Sequence, residues 1–137
     1  MIVPVGSLYG HALRLGIWRK WYHTYVTSSF GQVWPCHGRS RGGSVICTGV
    51  GNTAMADCLA QPNTEAGILY GATGVCHQIA NRILYPANVS VNRASGAHYS
   101  IWMWGTYGKD PITAQRYSPA SFPWPELSNC LANHFHP

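Results

Sequence analysis

A chain of 137 residues and 15.0 kDa is long enough for one domain over residues 1–137 to bury a core without staples. A hydrophobic share of 46% with six Trp and eight Tyr excludes a disordered chain, and no apolar run approaches the roughly 18 residues of a membrane span. The net charge of +5 comes from nine Lys and Arg set against four acids. That makes nucleic acid an unfavoured partner, and Arg14, Arg19, Lys20, Arg39 and Arg41 read as solvated surface.

Taken in chain order, the start MIVPVGSLYGHALRLGIW lacks the basic n-region and cleavage site of a signal peptide, so export would use another route. Residues 8–15 and 21–27, rich in β-branched and aromatic side chains and joined by GIWRK, predict an antiparallel hairpin. Alternation puts His11 and Leu13 on one face with Tyr9 and Leu15, and His23 on one face with Trp21 and Tyr25. The glycine-rich stretch that follows predicts a long loop around one short strand, Ser44–Thr48.

TAMADCLA, 53–60, predicts a short helix capped by Asn52 or Thr53. A second helix follows in TGVCHQIANRIL, 73–84, with Thr73 as its cap, Ile79, Ile83 and Leu84 on one flank, and Pro86 as its terminator. HYSIWMWGTY, 98–107, has strand composition, with His98, Ser100, Trp102 and Trp104 on one face. The proline-rich tail has room for a short helix near 125–133. Together these elements predict an α+β fold: a small antiparallel sheet packed on a few short helices, with long loops.

Cys76 falls in the first turn of the second helix, where the helix dipole and unpaired N–H groups stabilise a thiolate. Gly71 and Gly74 just before it permit a close turn whose amides could face a substrate carbonyl. His77 projects about 100° away from Cys76 on a helix and is a poor base for it. An attacking thiol therefore needs an imidazole from elsewhere, oriented by a third group. His98, with Asp110 downstream as orienter, is one candidate; His11, upstream in the hairpin, is the other. Gly74, Gln78, Trp102 and Trp104 are candidate substrate contacts.

A cysteine opening a helix in GVCHQIANRIL, then a histidine in HYSIWMW and then DP, resembles the core of papain-like and transglutaminase-like cysteine enzymes, over about residues 70–111. That superfamily includes bacterial effector toxins, and the resemblance implies a cofactor-free protease, amidase or deamidase acting on a protein or peptide, with a cognate inhibitor protein as a further partner. The 22 residues from Cys76 to His98 are fewer than the pattern usually has. Permuted members of the group, with the histidine in an upstream strand, are matched instead by His11 in GHA.

Other chemistries compete for the same residue types. Cys36, His37, Cys47 and Cys58 could supply a zinc but lack a CxxC knuckle. Disulfides among Cys36, Cys47, Cys58 and Cys130 would leave Cys76 as the free thiol. WPCHG fails the zinc-deaminase signature, which needs PCxxC and HxE. A metal-free nuclease drawing on His11, His23, His98, His134 and His136 is one remaining alternative, and a non-catalytic aromatic-rich binding module is another.

Overall fold

The computed structural model describes residues 4–15, 22–60, 67–94 and 96–134. Strands β1 (Val5–Arg14), β2 (Tyr22–Ser28), β3 (Val33–Trp34) and β4 (Ser44–Asn52) form one antiparallel sheet in the order β3-β2-β1-β4. Helices α1 (Thr53–Leu59), α2 (Cys76–Leu84), α3 (Ala97–Trp104) and α4 (Trp124–His134) complete an α+β arrangement. No helix among the described residues is long and apolar enough to cross a membrane.

The expected hairpin is present: β1 and β2 pair from Leu8↔Ser28 to Arg14↔Tyr22, which sets His11 opposite Tyr25 and Leu13 opposite His23. Its connecting residues, with Trp21, lie outside the described residues. On one face Leu8, Gly10 and Ala12 of β1 join Thr24, Val26 and Ser28 of β2, each buried. Helix α2 packs there through Ile79, Ile83 and Leu84, forming the main core with Leu8 and Val26. Gly10 permits this approach, because a Cβ at that position would press on Cys47, Val91 and Leu84.

The strand expected at Ser44–Thr48 continues to Asn52, paired along β1 with one irregularity at Gly10/His11. Asn52 then caps α1, its side chain accepting from the N–H groups of Ala54 and Met55 at 2.9 and 3.0 Å. A disulfide joins Cys58 of α1 to Cys130 of α4, beside a second core built on Leu59, Phe122 and Leu127.

Three local expectations change. Thr73 does not cap α2: its hydroxyl accepts from Leu69 N–H at 2.8 Å and closes the preceding turn, so Val75 is the cap residue and Cys76 the first helical residue. Residues 97–104 form helix α3 in place of the expected strand, bracketed by Gly96 and Gly105 in positive-φ conformations. Its less exposed positions, Ala97, Ser100, Ile101 and Trp104, recur at helical spacing. Gln78 and Asn81, expected as polar helix surface or contacts to substrate or imidazole, are fully buried and bond to backbone.

Candidate active site

Helix α2 enters the fold with its N-terminus at the edge of β2. Strand β3 pairs only with Val26 and Thr27, so that edge at His23 and Thr24 is left to another element. Cys76 takes the place: its sulfur lies beside the His23 imidazole and Thr24, near enough for both to act on its ionisation. Both Cys76 and His23 are nearly enclosed, at 5% and 4% exposure. The Thr24 hydroxyl is buried with no hydrogen-bond partner among the described residues and lies near the same sulfur.

The other side of the His23 ring is fixed by the loop after β3. Nε2 lies 2.8 Å from the Pro35 carbonyl oxygen, which can only accept, so Nε2 carries a proton and Nδ1 is left for the thiol. Cys36 and His37 then adopt left-handed φ of 55° and 66°, and the loop returns with Gly38 packed on the ring. A backbone carbonyl thus orients the base where a carboxylate was expected.

The charges of the pair reinforce one another. Burial by itself pushes the Cys76 thiol up, but the hydrogen bond and charge of His23 and the donors on Thr24 outweigh it and hold the thiol below its ordinary value. Burial likewise opposes the imidazolium, yet the Cys76 and Pro35 contacts carry His23 above 6.5. Both shifts favour a thiolate–imidazolium pair.

Tyr70 is the third group at the sulfur. Its hydroxyl lies beside the thiol and backbone of Cys76, and burial followed by the nearby thiolate pushes it up to about 12, keeping it a donor. The His37 ring packs against it at a tilt, with centroids 4.9 Å apart. A cavity of about 560 Å³ opens beside Cys76 and His23, walled on one side by Tyr70 and Val75 and on the other by Tyr99, Ser100, Met103 and Trp104 of α3.

The expected site residues divide sharply. Only Cys76 and Trp104 face the cavity; Trp104 also donates to the Ala72 carbonyl at 2.9 Å. His98 is on the exposed side of α3 against Tyr99 and does not line the cavity beside Cys76. Asp110 holds a surface turn, accepting from Ile112 and Thr113 N–H, and orients no imidazole. His11 sits on the sheet face with Tyr25, stacked at 4.4 Å and bonded to Thr27 Oγ1 at 2.8 Å. Trp102 is 74% exposed and does not line the cavity.

Gly74 and Gln78 serve structure rather than substrate. The Gly74 carbonyl accepts from Gly71, while Gln78 joins Val75 N–H to the Gly105 carbonyl. The zinc set of Cys36, His37, Cys47 and Cys58 is not assembled: among the described residues only Cys58, Cys130 and His134 converge, and the two cysteines are disulfide-bonded. His134 pairs instead with Asp57 at 3.1 Å, and His136 lies outside the described residues.

The residues missed from sequence are His23, Tyr70 and the Pro35 carbonyl. Alternation gave His23 its face with Tyr25, but the strand pattern carries no sign that α2 docks at that edge. Compared with known proteins, the chain matches no family model, no curated protein and no solved structure.

Proposed function

We propose that the protein is a cysteine hydrolase acting on an amide bond of a protein or peptide, with Cys76 as nucleophile and His23 as base and acid. The observation that carries this reading is the juxtaposition of Cys76, at the first position of α2, with an imidazole of which one nitrogen is held by Pro35. The order of histidine in a strand and cysteine in a later helix is similar to permuted papain-like enzymes, with His23 in the part expected of His11.

In the proposed mechanism, the Cys76 thiolate attacks the amide carbon and forms a C–S bond. The carbonyl electrons move to oxygen, which the Cys76 N–H and the Tyr70 O–H, both near the sulfur, would stabilise by turning their donors to it. As the C–N bond breaks, the His23 imidazolium gives its Nδ1 proton to the leaving amine. Water then attacks the thioester, His23 takes one of its protons, and the thiolate is released with the acid product.

Iodoacetamide near neutral pH tests the pair. Selective labelling of Cys76, lost in His23→Ala, is expected; uniform inertness of Cys36, Cys47 and Cys76 would overturn the proposal. The second reading, a non-catalytic binding module, draws on the exposed aromatics Trp102 and Tyr99 of α3, and inertness would favour it.

A further inference from the structure

We infer that the cavity beside Cys76 is a specificity pocket for a bulky, uncharged apolar residue adjoining the scissile bond, so that the substrate is a peptide cut at aromatic or large aliphatic positions. The inference rests on the cysteine-hydrolase reading above. The cavity holds about 560 Å³, inside the range of about 300–1,000 Å³ in which proteins enclose whole organic groups. Its walls are made by Leu15, Tyr22, Val75, Tyr99, Met103 and Trp104, and among the described residues no Lys, Arg, Asp or Glu lines it.

The polar groups on these walls are few, and His77 Nε2 among them is buried with no hydrogen-bond partner among the described residues. His77 Nδ1 lies 2.9 Å from Ser100 Oγ, and Ser100 in turn donates to the Ala97 carbonyl at 2.8 Å. The Trp104 indole N–H is taken by the Ala72 carbonyl. Burial also lowers His77 to about 4, so it brings no positive charge near neutral pH. A charged side chain placed here would lose its water and gain no counter-ion from the described residues.

The same walls argue against deamidation of glutamine or asparagine. With the carboxamide carbon at the Cys76 sulfur, only one or two methylenes of the side chain would occupy the cavity. The rest would be filled by peptide backbone, whose N–H and C=O groups would meet chiefly apolar side chains, with His77 Nε2 among the few polar atoms there. A Phe, Tyr, Trp, Leu or Met side chain fills it with matching apolar surface, and its burial is worth a preference of about 10-fold or more over a charged residue.

A defined mixture of peptides, incubated with the full chain and mapped by mass spectrometry, tests the inference, with iodoacetamide labelling of Cys76 run in parallel. Expected is cleavage with an aromatic or large aliphatic residue at one fixed position beside the cut, at least about 10-fold over Asp, Glu, Lys, Arg or Gly there. Met103→Gln, which places a polar amide in the wall, should lower that cleavage about threefold or more while Cys76 alkylation stays within about twofold. Cleavage beside charged residues or glycine would overturn the pocket assignment and leave the hydrolase reading standing. So would selective alkylation of Cys76 with no peptide cut, or with ammonia released from glutamine peptides. Absence of selective alkylation would overturn the hydrolase reading and the pocket assignment together.

Discussion

Gly38 lies flat against the imidazole of His23: a Cβ at residue 38 would overlap Cε1, Nε2 and Nδ1 of the ring. The backbone of WPCHG therefore sets both the hydrogen bond on Nε2 and the plane of the ring. Gly38→Ala should push the ring away from Cys76 and lower turnover on the order of 100-fold, as expected when a catalytic group moves by about 1 Å. Circular dichroism melting should show a smaller cost, about 1–3 kcal/mol for overpacking. Unchanged turnover in a folded Gly38→Ala protein would remove the loop from the site.

Three histidine substitutions separate the base from its neighbours. His23→Ala should lower turnover by about 100-fold or more, the usual worth of a positioned acid–base group. His98→Ala should leave it unchanged, because the ring is exposed on α3. His11→Ala should cost about 1 kcal/mol of stability through the lost Tyr25 stack and Thr27 bond, with turnover largely kept. Steady-state rates beside thermal melts decide the assignment.

The pH–rate profile should be bell-shaped. The lower limb reports formation of the thiolate, which lies below the 9.0 of an ordinary thiol. The upper limb reports loss of the His23 proton, above 6.5. Because the two groups titrate as a pair, the limbs belong to the pair rather than to either residue. A single ascending limb centred near 9 would contradict a preformed ion pair.

His77 gives the fold an acid sensitivity. Burial lowers it to about 4, so in the folded state it stays neutral where an unfolded chain would bind a proton at 6.5. Its contribution is complete above about pH 6.5 and is lost as pH falls toward 4, reaching roughly 3 kcal/mol. His77→Gln, which can still bond Ser100, should show a smaller drop in melting temperature between pH 7.5 and 4.5 than the parent. An equal drop would place the acid sensitivity elsewhere.

The Cys58–Cys130 bridge closes a loop with a sequence separation of 72. Loop-closure entropy makes that worth about 4 kcal/mol, so Cys58→Ser with Cys130→Ser should melt markedly earlier. Alkylation of Cys76 well below the melting point should not change, because the bridge ties α1 to α4 while the thiol sits between α2 and β2. Joint loss of both would show that the site depends on the α1–α4 clasp.

Much of the local structure was legible residue by residue. Leu8, Val26, Ile79 and Ile83 follow the strand and helix periods of their elements and form the core those periods imply. Asn52 and Pro86 mark one helix start and one helix end for reasons of local hydrogen bonding and ring geometry. The stretch 97–104 was not legible, because Tyr99, Trp102 and Met103 occupy exposed helix positions that polar residues ordinarily fill. Tyr99 and Met103 line the cavity, and so a site requirement masked the 3.6-residue period.

By itself the sequence determined that Cys76 lies in the first turn of a helix and that a base for it, under the hydrolase reading, would have to come from another element, since dipole, exposure of N–H groups and the 100° step to His77 are local properties. Which histidine answers was decided only by the tertiary structure. His11, His23 and His98 are equivalent as residue types, and adjacency depends on where α2 docks against the sheet. Because β3 leaves β2 at Trp34, the open edge falls beside His23 and Thr24, and the departing chain supplies the Pro35 carbonyl and Gly38 that hold the ring.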